Sequence, residues 1–216
     1  MGKAHVNKYQ LQDSKRYCLY RTFLQTLGKH PDSAFITKDT MADASFQKTF
    51  LEAHNTYRSK HSTPPLTLSS ELTASAQKWA DHLLAISTLK HSDTQDGENV
   101  FTMYSSATIK LTGKEAVDSW YNEIKDYNWS SPGFKSETGH FTQVVWKDST
   151  ELGVGMATDG KRAFVVGQYR PAGNMNMAEY FEKNILPLGS QKYGSYLANR
   201  PRLTDDPVMN PDIEET

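Results

Sequence analysis

Cysteine is nearly absent: Cys18 is the single one in 216 residues, and one thiol cannot close an internal disulfide. A bridge-stapled scaffold is excluded, and a reducing compartment accounts for the count. Long apolar runs are lacking as well. None approaches the roughly 18 residues of a membrane span. The opening stretch MGKAHVNKYQLQDSKRYCLYRTF has no continuous apolar segment of the signal-peptide kind, so classical secretion is not expected. Charge of one sign is missing too. A net charge of -1 leaves no global electrostatic reason to expect nucleic acid as a partner.

What is present suits a folded domain. The hydrophobic fraction is 37%, with four Trp, eleven Tyr and nine Phe, enough for one good core with residues left for tails. Charge is segregated along the chain. Residues 1–30 carry Lys3, Lys8, Lys15, Arg16, Arg21 and Lys29 against Asp13 alone; after Arg202 come Asp205, Asp206, Asp212, Glu214 and Glu215 with no base. Two solvated tails are the plain reading. The sharper one is a basic arm that supports contact with an anionic membrane, each base adding on the order of 1 kcal/mol. Gly2 suggests N-myristoylation, although Val6 stands where the pattern wants Ser or Thr.

The periodicity divides the chain into an extension over 1–44, a domain over 45–188 and an acidic, proline-containing tail over 189–216. A helix is predicted from Ser45, with Phe46, Phe50, Ala53 and Tyr57 at helical spacing, stopping before Pro64 and Pro65. A second opens at Ser69 or Ser70, striped by Leu72, Ala76, Trp79, Leu83 and Ile86. A third begins with Thr112 and Glu115 in capping-box register and buries Ala116, Val117, Trp120, Ile124 and Tyr127. HFTQVVW, ELGVGMA and RAFVVGQYRP read as strands, the last two joined by the hairpin signal TDGK. Helices first and an antiparallel meander second predict an α+β layered domain.

In GHFTQVVW, alternation puts His140 on one face with Thr142, Val144 and Trp146, where an imidazole needs a partner. Glu123 leans toward the core edge of its helix, and His91 and Glu98 flank the loop HSDTQDGE. Two imidazoles and two carboxylates can form a thiolate-free zinc site. They can equally form hydrogen-bonded acid–base pairs, and taken singly each is more often a satisfied structural residue. Spacing alone does not assemble them.

Four motifs in order do. GHFTQVVWKDS resembles the first signature of the CAP superfamily (cysteine-rich secretory proteins, antigen 5, pathogenesis-related 1), and FVVGQYRPAGN resembles the second. HNTYR, His54 to Arg58, and GENV, Gly97 to Val100, are similar to the family's HNxxR and GEN motifs. The run TGKE…WYNEIKDYN…PGF…TGHFT is similar to the small intracellular, Golgi-associated plant pathogenesis-related branch. The resemblance implies a three-layer α-β-α sandwich with a central antiparallel sheet. It also implies a cleft built from His91, Glu98, Glu123 and His140, where some members hold zinc. Gly167 stands where secreted members carry a disulfide cysteine, in keeping with the cysteine count.

The same resemblance frames activity. The chain has no Gly-x-Ser-x-Gly elbow and no His-Glu-x-x-His helix. A serine hydrolase-like set is one expectation: Ser105 or Ser106 with His140 and Glu123, across a homodimer interface, although Tyr104 occupies the matching position. Cys18 lies outside the domain and is a poor nucleophile. The leading expectation is a non-catalytic module that binds an anionic lipid surface, a sterol or lipid ligand, or protein partners, at the cytosolic face of Golgi-type membranes. Unconventional secretion is the alternative location. The family's usual N-terminus aligns near Met41, so a start there removes the Gly2 argument. Asn128 opens a glycosylation sequon that carries no weight in a cytosol-facing protein.

Overall fold

The computed structural model describes residues 42–190. Gly2, the basic arm, Cys18, Met41 and the acidic residues after Arg202 lie outside the described residues.

Helix α1 is Ala44–Lys60, and the Asp43 side chain accepts the Phe46 N–H at 2.8 Å, one residue ahead of the expected Ser45 start. Strand β1 is the two-residue Thr67–Leu68. Helix α2 is Ser70–Ile86, capped by Ser69 as predicted, and buries Leu72, Ala76, Ala80 and Leu83. Strand β2 is Gly97–Tyr104, longer than the short apolar piece that its sequence suggests. Helix α3, Lys114–Tyr121, tightens into a 3-10 segment over Asn122–Asp126. Only half of its capping box forms: the Glu115 carboxylate accepts from the Thr112 N–H at 2.9 Å, while Gly113 takes the cap position at φ 89°. Strands β3, Glu151–Thr158, and β4, Arg162–Arg170, form the expected hairpin. Helix α5, Ala178–Asn184, had no clear sequence signal.

One expectation is overturned. The segment containing His140 is not a strand but a short helix, α4, Gly139–Val144. The Glu123 carboxylate accepts the N–H groups of His140 and Phe141 at 3.0 and 3.1 Å. A fixed anion at two orphan N–H groups stabilises a helix start over the β preference of the sequence. Phe141, Thr142, Gln143 and Val144 are all buried, so the segment shows no polar face from which its period can be read.

The sheet order is β1-β3-β4-β2, antiparallel except where β1 runs parallel to β3. Leu152, Val154, Met156, Val165 and Tyr169 face a core shared with Phe46, Phe50, Trp120, Phe141 and Phe181 from the helices of one layer. Ala157, Phe164, Val166 and Val100 face Ala76, Ala80 and Leu83 of α2 on the other side. This is the predicted α-β-α sandwich. Helix α2 lies directly on the β3 backbone because Gly153 and Gly155 carry no side chain: a Cβ there would stand 2.2 and 2.3 Å from backbone atoms of Leu72 and Ala76. Gly155→Ala is expected to cost about 1–3 kcal/mol through overpacking. Gly133→Ala, which meets nothing within 4 Å, is expected to change stability by less than about 1 kcal/mol. Urea denaturation of the two variants checks this; equal stabilities would contradict the packing argument.

Candidate functional site

The site stands on three residues of α1, all within HNTYR. Arg58 is fully buried and, among the described residues, has no carboxylate partner. Its guanidinium instead donates to four carbonyls: Pro64 at 2.8 Å, Val144 at 3.1 Å, Trp146 at 2.8 Å and Ser149 at 2.8 Å. Burial pushes its pKa down to about 10, so it remains a cation at neutral pH. Asn55 brackets Leu66, donating to its carbonyl at 3.1 Å and accepting its N–H at 2.8 Å. These contacts pin the chain leaving α1 and the turn leaving α4.

His54 lies within 2.9 Å of the Phe50 carbonyl through Nδ1 and 2.8 Å of the Tyr169 hydroxyl through Nε2. A carbonyl only accepts, so Nδ1 carries the proton and Nε2 accepts from Tyr169. Burial holds the His54 pKa down to about 3 and pushes the Tyr169 hydroxyl well up, so both stay neutral. Asn99 then donates to Tyr169 at 3.3 Å and to the His140 carbonyl at 3.0 Å. This connects α1 to α4 through the sheet.

Around that frame the four predicted residues come together two by two. His140 Nδ1 meets Glu123 at 2.7 Å, and its ring stacks on Trp120 with centroids 6.2 Å apart. His91 Nδ1 meets Glu98 at 2.9 Å. Glu98 is also held by Ser92, through its N–H at 2.9 Å and its hydroxyl at 2.6 Å, and by Gln168 at 3.2 Å. Hydrogen bonding to Glu98 raises the His91 pKa against the opposing effect of burial. Burial pushes the Glu98 carboxyl up, but the bonds from His91, Ser92 and Gln168 outweigh it and the net shift is downward.

Glu98 and Asn99 are successive residues of β2, so they address opposite faces of the sheet. Glu98 lies across from Gln168 and Asn99 across from Gly167. Each carboxylate is engaged by its own imidazole, Glu98 by His91 and Glu123 by His140. Among the described residues no group of three or more His, Cys, Asp or Glu is placed to hold a metal ion. Both carboxylates accept from Nδ1 and N–H donors, Glu98 from His91 and Ser92 and Glu123 from His140 and Phe141. The donor chemistry still fits zinc at the imidazoles, since each ring keeps Nε2 without a partner among the described residues.

The serines do not join this set within one chain. Ser105 and Ser106 follow the far end of β2, where Ser105 N–H donates to the Lys161 carbonyl at 3.0 Å. Six residues of strand separate Asn99 from Ser105, about 20 Å. The sequence argument gave no roles to Asn99, Gln168 and Tyr169, although each is a buried polar side chain within a quoted motif. Gly167 also has a reason. A Cβ there would meet Phe50, Tyr169 and Trp120 at 3.1 to 3.4 Å, so aromatic packing occupies the place of the missing cysteine.

Fold and site define an α-β-α sandwich that carries two histidine–carboxylate pairs. Residues 51–169 match the cysteine-rich secretory protein (CAP) family. The chain belongs to that family. It is 46% identical over 152 residues to the Golgi-associated plant pathogenesis-related protein 1 of Homo sapiens, spanning 68% of this chain and 96% of the relative. To Protein PRY2 of Saccharomyces cerevisiae it is 40% identical, over 66% of this chain but only 42% of that protein. Among solved structures, BmVAL-1 is similar at 25% identity and a TM-score of 0.57, covering 68% of this chain and 84% of that one.

Two outcomes test the geometry. In an NMR titration His91 is expected to titrate above its ordinary value and to fall on Glu98→Gln. The sign follows from linkage: the raised His91 pKa adds stability below about pH 6.5 that is lost as pH rises through its folded pKa, and the lowered Glu98 pKa adds stability lost as pH falls through its own. His54 is expected to stay neutral to about pH 3. An unshifted His91 would contradict the pair. Separately, Arg58→Lys is expected to cost about 2–4 kcal/mol in urea denaturation, since an ammonium has three donors for four carbonyls and lacks the planar fork. A loss under 1 kcal/mol would remove Arg58 from its central place.

Proposed function

We propose that this chain is a non-catalytic binding module of the CAP family that associates with Golgi-type membranes at their cytosolic face. The observation that carries the non-catalytic reading is the position of Ser105 and Ser106, about 20 Å along β2 from Asn99, the residue that holds His140. With neither Ser105 nor Ser106 beside them, and with the Ser92 hydroxyl donating to the Glu98 carboxylate, two oriented imidazoles make a binding site. The Golgi assignment rests on the relative named above, which this chain matches over nearly all of that protein's length. Anionic lipid is the proposed surface, met by the six bases of residues 1–30 and by acylation of Gly2 where the chain keeps it.

His91 and His140 are the proposed zinc ligands, through Nε2. Glu98 and Glu123 hold the opposite ring nitrogens and thereby fix each tautomer and raise ligand basicity. Bound zinc would supply a fixed positive charge at the imidazoles. A sterol or lipid ligand, and a homodimer, are compatible uses of the same surface.

Calorimetry with zinc chloride tests the ligand assignment: uptake by the native chain and its loss in the His91→Ala/His140→Ala variant are expected. Unchanged uptake by the variant sinks the site. A fluorophosphonate probe tests the other class. Labelling of Ser105 or Ser106 that vanishes on His140→Ala would replace this reading with a hydrolase assembled across two chains. Flotation with phosphatidylserine vesicles is expected to carry the full chain and to fail once residues 1–40 are removed.

A further inference from the structure

The outer edge of β2 has a use that the histidine pairs do not explain. The order β1-β3-β4-β2 leaves β2 at one end of the sheet. Its register with β4 pairs Phe101 with Val165 and Met103 with Ala163, and the next bond in phase runs from Ser105 N–H to the Lys161 carbonyl. That phase points the backbone groups of Phe101 and Met103 at β4, and those of Val100, Thr102 and Tyr104 outward. The Val100 carbonyl accepts from the Trp120 indole at 3.4 Å. The N–H groups of Val100, Thr102 and Tyr104, and the carbonyls of Thr102 and Tyr104, have no partner among the described residues. Edge strands that lack a cover pair readily with another extended chain.

Beside this edge lies an open groove of about 520 Å³, lined by Tyr57, Phe101, Met103, Glu115, Asp118 and Tyr121 among others. Its walls are aromatic and its fixed charges are acidic. Asp118 is held by Tyr57 and Lys114, and Lys60 lies over the Tyr57 ring at 4.9 Å. Among the described residues Glu115 meets no cation, and its carboxylate accepts from Thr112. A strand laid on β2 sends alternate side chains to the groove face, where a lysine or arginine would find Glu115 and aromatic rings.

We infer that the Val100–Tyr104 edge of β2 and the adjoining groove bind an extended polypeptide segment with basic residues at alternate positions, by strand addition. The backbone supplies the affinity and the groove selects the side chains. This goes beyond the proposed function, because it uses neither imidazole and needs neither metal nor lipid.

Fluorescence anisotropy on the full chain tests it with the labelled heptapeptide Thr-Lys-Val-Lys-Val-Lys-Thr as probe. Binding is expected in the presence of EDTA, at least about tenfold weaker when glutamate replaces lysine in the probe, and lost when alternate probe amides are N-methylated. Thr102→Pro removes an outward N–H without breaking a backbone bond to β4 and is expected to abolish binding, whereas Thr102→Val, which loses only the hydroxyl bond to the Ala163 carbonyl, is expected to keep it. Glu115→Gln, which keeps the shape, is expected to weaken it about tenfold. Circular dichroism confirms that the variants fold. Binding that survives both N-methylation and Thr102→Pro overturns strand addition, and loss of binding in EDTA moves the peptide to the metal cleft. If sedimentation shows a dimer of the chain that Thr102→Pro dissolves, the edge belongs to a second copy and the inference fails.

Discussion

A single buried cation sets the rest of this structure in place. Arg58 is taken out of water and, among the described residues, its charge is met by backbone dipoles and by no carboxylate. Removing an ion from water is costly unless every donor finds a partner, which makes the four carbonyls obligatory. Three of them belong to Val144, Trp146 and Ser149, the stretch between α4 and β3. Arg58 therefore fixes where α4 ends, and α4 carries His140.

The second constraint is the neutral chain from Phe50 through His54, Tyr169 and Asn99 to the carbonyl of His140. Every proton in it has one assignment, because a carbonyl accepts at both ends. Trp120 adds a flat wall under the His140 ring, and Glu123 holds both the ring and the first N–H groups of α4. One carboxylate thus does two jobs: it starts the helix and orients the base on it. The pair His91–Glu98 is built differently. Its carboxylate is buried, its imidazole is 62% exposed at the side chain, and Ser92 closes the remaining acceptor sites. Two histidines with the same ring nitrogen engaged therefore differ in how water reaches them.

Several of these features were legible as sequence. The α1 helix, the Leu72, Ala76 and Leu83 stripe of α2 and the β3–β4 hairpin follow from local chemistry that tertiary contacts did not override, whereas Ile86, expected on that stripe, is exposed at the end of α2. The α4 segment was not legible, because the carboxylate that makes it a helix comes from Glu123, outside the segment itself. Strand β2 was obscured for a related reason. Its Glu98, Asn99 and Thr102 look like loop residues until Gln168, His140 and Ala163 accept or donate across the sheet.

The sequence by itself determined the composition of the core, the period of the two long helices and the presence of four unusual acid and imidazole side chains. It also fixed the family, since motif order survives without coordinates. Tertiary structure alone decided which acid meets which imidazole, that the segment carrying His140 is a helix, and that Ser105 follows the far end of β2. Pairing is a property of sheet register and helix placement, and those are set by contacts such as that between His54 and Tyr169, 115 positions apart in the chain, which no local pattern encodes.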